Sequence, residues 1–154
     1  VSDSGTWYVE DIQYGRWTLD ETCQKIFEAV AKYKPISVGI EKGIAQQAVM
    51  NPLQDIMRRT HRVFRIEMLT HGNQKKEDRI LWALQGRFEH GKIKLKKGDW
   101  NIALVDEASG FPSRLVHDDL IDSLSYIDQL AVVPYATDLE IEDEYVPMDP
   151  VAGY

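Results

Sequence analysis

The chain has 154 residues, 44% of them hydrophobic and 28% charged, a size and balance that indicate one soluble globular domain. No apolar run approaches the roughly 18–20 residues that a membrane span requires. Cys23 is the single cysteine, which excludes a disulfide framework and a cysteine-based zinc site, and a reducing cytoplasmic setting is the simplest interpretation.

Hydrophobic periodicity and turn residues predict an alternation of strands and helices. Thr18 and Glu21 have the spacing of a capping box, which predicts a helix start there. A later helix contains Pro52, so we expect a kink or break within it. In chain order, the predicted elements are a strand at 6–14, a helix to residue 33, a strand at 36–41, a helix at 44–59, a strand at 61–69, a helix at 74–91, a short strand at 92–97, a helix or turn at 99–108 and a helix at 118–133.

This alternation is typical of an α/β domain with a largely parallel sheet and helices on its faces. In the helix at 74–91, the apolar stripe is predicted to comprise Ile80, Leu81, Leu84 and Phe88. Residues 134–154 contain three prolines, many acids and no periodicity. They predict an acidic, flexible or surface-wrapped tail after a domain that spans residues 1–133.

The net charge of −7 is unevenly distributed. Residues 58–97 hold twelve of the 18 basic residues against four acids, whereas residues 138–149 hold six acids and no base. A basic segment within an acidic chain indicates either a local polyanion-binding face or an ordinary solvated surface, and charge alone leaves both open.

Three acids crowd the start of the last predicted helix, in the sequence HDDLID. Asp118, Asp119 and Asp122 would repel one another unless a cation lies among them, although acids in a first helical turn also serve as caps. Glu41 ends an apolar strand, where a carboxylate requires a cation or a hydrogen-bonding partner. If these elements meet, hard oxygen ligands converge in a way that suits Mg²⁺ or Mn²⁺.

The ordered set YVEDIQYGRWTLDE, SVGIEKG, KKEDRILWALQGRFEHGKIKL and HDDLIDSLSY resembles the C-terminal nuclease domain of tailed-bacteriophage terminase large subunits. The resemblance covers roughly residues 6–130. It implies an RNase H-like central mixed sheet flanked by helices, and metal-dependent cutting of concatemeric viral DNA in the host cytoplasm. It also implies these partners: double-stranded DNA, an upstream ATPase domain of the same polypeptide, the portal protein and the small terminase subunit, with no membrane.

The resemblance assigns catalytic and metal-binding roles to Glu41, to Asp119 as the first choice on the last helix, and to Asp118 as the second. Asp122 is a supporting metal ligand. The resemblance also gives the basic segment a role in contacting the DNA backbone, without reading of bases. The residues assigned to this contact are Lys75, Lys76, Arg79, Lys92 and Lys94.

One departure from the family pattern concerns the first catalytic aspartate. Its strand would precede Val1, so we expect a gap in the sheet and an incomplete site, and the activity of this chain alone is left open. The alternative function is a noncatalytic module of the same fold that clamps DNA or docks on the portal, with acids that only cap helices. A resolvase or transposase of the same fold class would differ chiefly in substrate.

Overall fold

The computed structural model describes residues 1–113 and 117–131, in which strands and helices alternate. The strands are β1 (Trp7–Val9), β2 (Val38–Glu41), β3 (Ile66–Leu69) and β4 (Ile93–Leu95). The helices are α1 (Leu19–Tyr33), α2 (Ile44–Thr60), α3 (Lys76–Glu89), α4 (Trp100–Gly110), α5 (Asp119–Ser125) and α6 (Ile127–Leu130). None of these helices is long and apolar enough to cross a membrane.

The strands of the described residues form two separate parallel pairs. In one pair β1 lies beside β4, with Trp7 opposite Ile93, and in the other β2 lies beside β3, with Glu41 opposite Leu69. Within residues 1–113 and 117–131 the central sheet is therefore interrupted between two strand pairs, which agrees with the gap in the sheet expected from the sequence.

Each strand pair has its own hydrophobic core. Trp7 and Ile93 of the β1–β4 pair join Ile80, Leu104 and Ile121 from three helices in the larger cluster. The β2–β3 pair is covered by a smaller cluster, centred on Cys23 of α1 with Val49 and Leu53 of α2. Both clusters form because α1 to α5 each bury apolar side chains in one of them.

Helices α5 and α6 connect the two halves. Ile121 lies in the larger core, whereas Leu130 packs over Gly39 in the middle of β2. A methyl group on Gly39 would lie 2.7 Å from a Leu130 side-chain carbon, so the absent side chain permits this close approach. The side-chain amide of Gln129 adds two hydrogen bonds to the backbone of Thr70, just beyond β3.

The predicted order of elements is confirmed, and the differences concern their ends. The capping box of Thr18 and Glu21 is present, with both reciprocal hydrogen bonds. The predicted strand at 6–14 is reduced to β1, and α2 runs through Pro52 as one helix rather than breaking there. The last predicted helix is divided at Tyr126, and its residues 132 and 133 lie outside the described residues, as does the predicted tail at 134–154.

The apolar stripe of α3 is rotated relative to the prediction. Ile80 and Leu84 are buried as expected, but Leu81 and Phe88 are 38% and 39% exposed. Their places are taken by Ala83 and by the side chain of Arg79. Periodicity misses Arg79 because a buried arginine depends on partners from distant parts of the chain.

The fully buried Leu53 tests the core beneath the β2–β3 pair. We expect Leu53→Ala to lower the free energy of unfolding by about 2–5 kcal/mol, because it leaves a cavity between α1, α2 and the sheet. Val63→Ala removes apolar atoms from a side chain that is 86% exposed, and should change stability by less than about 0.5 kcal/mol. Urea unfolding followed by circular dichroism measures both, and equal effects would contradict this core.

Candidate active site

Glu41 stands at the carboxyl end of β2, where two partners hold one of its oxygens. The Tyr126 hydroxyl donates a hydrogen bond to Glu41 Oε1 at 2.9 Å, and His71 Nε2 lies 2.9 Å from the same atom. His71 follows β3, whose end lies beside that of β2 in the parallel pair. Nearly half of the Glu41 side chain is exposed, so it can meet a ligand from solvent.

The Tyr126 hydroxyl joins these groups from the junction of α5 and α6. It lies 2.8 Å from His71 Nδ1 as well as 2.9 Å from Glu41, but it has only one proton. That proton is donated to Glu41 Oε1, and the donor and acceptor roles of the two His71 ring nitrogens depend on the tautomer of the ring. Burial raises the pKa of Tyr126, and the hydrogen bond to Glu41 raises it further, so the phenol stays protonated as a donor.

Arg79 fixes the other side of the Tyr126 ring. Its guanidinium carbon lies 4.0 Å from the ring centroid, and its nitrogens donate to Asp122 and to the Ser125 hydroxyl. Arg79 is only 7% exposed. A buried guanidinium requires such partners, and they join α3 to α5. Its Nε finds no partner among the described residues.

Lys76 bridges two of the three crowded acids. Its amine lies 2.8 Å from Asp118 Oδ1 and 3.1 Å from Asp122 Oδ2. Burial alone would lower the pKa of Lys76, but the hydrogen bonds to the two carboxylates outweigh it and raise that pKa. These bridges therefore persist up to the ordinary lysine pKa of about 10.4, and they are lost only as the pH rises through the higher folded value.

Helix α5 is capped by a residue from α4 rather than by its own acids. Glu107 Oε2 accepts hydrogen bonds from the backbone N–H groups of Leu120 and Ile121, at 2.8 and 3.2 Å. The Asp118 side chain makes no capping hydrogen bond. Glu107 therefore supplies the hydrogen-bonded cap, while Asp119 lies exposed in the first turn with no ion pair within the described part of the chain.

The four predicted metal ligands fall into two classes. Both oxygens of Asp122 are occupied, one by Arg79 and the other by Lys76, which leaves no oxygen for a metal ion. Glu41, Asp118 and Asp119 each keep an oxygen without a partner among the residues that the structure describes. Among residues 1–113 and 117–131, no three acidic, histidine or cysteine side chains are grouped closely enough to hold a metal ion.

The five residues assigned to DNA contact do not form one surface. Arg79 is buried and the Lys76 amine is paired with two acids, so neither cation is free to meet DNA in this arrangement, and the assignment of the five residues to DNA contact stays a prediction. Lys75 is exposed at the start of α3, next to Lys76 and its acids. Lys92 and Lys94 are exposed beyond the other end of this 14-residue helix, roughly 20 Å away.

Three residues that contribute to this arrangement escaped the sequence reasoning: His71, Glu107 and Tyr126. His71 could have been found, because it follows β3 just as Glu41 ends β2, and parallel neighbours end at the same edge of a sheet. Glu107 and Tyr126 act on residues 13 and 85 positions away, and no local pattern marks such pairs.

The ion pair of Arg79 and Asp122 is expected to stabilise the junction of α3 and α5. We expect Arg79→Met to lower the free energy of unfolding by about 3 kcal/mol, because it leaves Asp122 largely buried with a weaker partner. The double variant Arg79→Met/Asp122→Leu should recover at least half of this loss. Arg59→Met breaks an exposed pair with Asp55 and should cost less than about 1 kcal/mol.

Urea unfolding of the four proteins measures these costs. A loss for Arg79→Met no greater than that for Arg59→Met, or no recovery in the double variant, would contradict a structural role for the pair.

The comparison with protein families gives a match over most of the chain. The family described as the terminase RNaseH-like domain matches residues 1–128, which include every residue of the site described above. The chain has no significant match among curated proteins or among solved structures. The match confirms the RNase H-like fold class and the resemblance to terminases that the sequence motifs indicated. The chain therefore belongs to the family of terminase RNase H-like domains.

Proposed function

We propose that this domain is a divalent-metal-dependent DNA endonuclease. The observation that carries the proposal is Glu41, a half-exposed carboxylate at the end of a parallel strand, with one oxygen held by Tyr126 and His71 and the other available. A carboxylate held in this way is preorganised to bind a cation, and the family is of the nuclease type.

The donor atoms of the site suit Mg²⁺ or Mn²⁺ in kind. Mg²⁺ is commonly bound by one or two carboxylates, with waters and substrate phosphates as the remaining ligands. Glu41 would supply one carboxylate, and Asp119, or Asp118 as the second choice, would supply the other. Asp122 is left out of the proposal because Arg79 and Lys76 occupy it. Bound there, the metal would supply Lewis-acid activation of a water nucleophile and of the scissile phosphate.

The surrounding residues have separate roles in this proposal. Tyr126 orients the Glu41 carboxylate by its hydrogen bond, and Arg79 beneath the ring keeps Tyr126 in place. Lys75 lies beside Lys76 and its acids, while Lys42 directly follows Glu41, and both are exposed cations able to meet DNA phosphates. The more distant Lys92 and Lys94 would contact a duplex only well away from the cut.

The biological setting follows from the family. We propose that the domain cuts concatemeric viral DNA during packaging, in the host cytoplasm, within a terminase that carries an ATPase domain on the same polypeptide. The portal protein and the small terminase subunit are the partners proposed for that assembly.

Nicking of supercoiled plasmid tests this activity. The chain should nick DNA with Mn²⁺ and not with EDTA, and Glu41→Gln or Asp119→Asn should lower the rate by about 100-fold or more, since even outer residues of metal sites cost 10–100-fold. Glu67→Gln is the matched control, because Glu67 lies on β3 beside Arg65 rather than at the carboxyl edge, and it should nick normally.

Manganese binding, measured by calorimetry, separates the two functional alternatives when nicking is weak. Binding that is lost in Glu41→Gln supports the nuclease site. A chain that neither nicks DNA nor binds Mn²⁺ would instead be the noncatalytic clamping or docking module.

Tyr126→Phe tests the orienting hydrogen bond. Removal of the hydroxyl leaves Glu41 Oε1 with His71 as its remaining partner, and we expect Mn²⁺ affinity to fall about 10–100-fold while the fold is kept. Calorimetric titration measures the affinity, and Tyr33→Phe is the control, because the Tyr33 hydroxyl contacts Asp11 instead. An unchanged affinity would show that Tyr126 does not orient the ligand.

A further inference from the structure

A cluster of cations lies at the end of the β2–β3 pair opposite Glu41. Lys34 caps the end of α1 just before β2, Arg58 is in the last turn of α2, and Arg62 follows that helix. Arg65 precedes β3, and its carbonyl accepts a hydrogen bond from the N–H of Val38, the first residue of β2. We name Lys34, Arg58 and Arg62 the basic pole.

The basic pole lacks internal counter-charges. Its neighbours Arg59 and Arg65 are paired with Asp55 and Glu67 respectively. Within the described part of the chain, the three cations of the basic pole are exposed and form no ion pair. Three such cations at one end of a sheet create a local field that favours an acidic ligand.

The shape around these cations includes apolar surface. A hollow of about 240 Å³ is lined by Phe27, Val30 and Ala31, with Lys34 and Arg62 at the same hollow. A second hollow, of about 640 Å³, has Arg58 beside Met57 and the highly exposed Val63. Cations next to apolar hollows fit a peptide that carries both acids and apolar side chains better than they fit a phosphate backbone.

The chain itself contains a segment of this composition. Residues 138–149 read DLEIEDEYVPMD, with six acids, no base and five apolar side chains among them. In DLEIE, acid and apolar residues strictly alternate.

The described chain ends close enough for this segment to reach the basic pole. Leu130 packs over Gly39, the second residue of β2, one residue from Val38 and its contact with Arg65. The seven residue-to-residue steps from 131 to 138 span up to about 24 Å when extended. This length exceeds the distance from Gly39 to the start of the strand, where the basic pole lies, by several residue spacings of about 3.3 Å.

We propose that residues 138–149 bind the basic pole of the same chain, with acids on its cations and apolar side chains in the two hollows. The contact is independent of the nuclease proposal, because the basic pole lies at the edge of the sheet opposite Glu41.

Carbodiimide cross-linking of the full chain tests the proposal. The reagent joins a lysine amine to a carboxylate as an amide with loss of water, and Lys34 is the lysine of the basic pole. We expect a cross-link between Lys34 and an acid of residues 138–149, mapped by mass spectrometry. An equal mixture of ¹⁴N- and ¹⁵N-labelled protein should give cross-links within one isotope only.

Charge variants provide the matched comparison. Arg58→Gln/Arg62→Gln should lower the cross-link yield about fivefold, because two contacts to acids are lost. Lys92→Gln/Lys97→Gln makes the same charge change elsewhere and should leave the yield unchanged.

Three outcomes would overturn the proposal. The first is cross-linking of residues 138–149 to Lys75, Lys92 or Lys94 in place of Lys34, and the second is cross-links that combine both isotopes, which indicate contact between copies. The third is an Arg58→Gln/Arg62→Gln variant with weaker duplex binding but an unchanged cross-link yield, which would assign the basic pole to DNA.

Discussion

The arrangement of the site depends on the buried guanidinium of Arg79. From α3 it binds Asp122 and Ser125 of α5 and stacks on the ring of Tyr126. Two turns later on the same helix, Arg87 stacks on Trp7 and pairs with Asp128 of α6. The two arginines thus hold α5 and α6 against α3 and β1. Tyr126 can reach Glu41 only because this segment is held in place.

The β2–β3 pair has a polarity that follows from parallel strands. Because both strands run in one direction, residues that follow them, such as His71, gather with Glu41 at one edge, and residues that precede them gather at the other. Helices α1 and α2 return the chain to that second edge, where their ends place Lys34 and Arg58. One topological rule therefore separates the acidic candidate site from the cations, although both lie within residues 34–71.

The sequence predicts the elements that depend on the spacing of neighbouring residues. It does not predict contacts between residues that are far apart in the chain. The alternation of elements and the capping box at Thr18 follow from periodicity and spacing, and the structure has both. The placement of Glu41 at a strand end also followed from an apolar run. The burial of Arg79 and the capping of α5 by Glu107 arise from contacts 46 and 13 residues apart, so neither leaves a local signal. The crowded acids predicted a divalent metal ion, and the cations that the structure places against Asp122 are Arg79 and Lys76.

Gly39 has no side chain, and this absence lets the segment that carries Tyr126 pack closely against β2. Leu69 of β3 and Leu130 together occupy the space that a side chain at position 39 would fill, and Tyr126 lies one helical turn before Leu130. A larger residue at position 39 would push this segment away from the strand and carry the Tyr126 hydroxyl with it. The orientation of the Glu41 carboxylate therefore depends on a steric fit at position 39, two residues earlier in β2. Substitutions there would disturb the site although Gly39 takes no part in its chemistry.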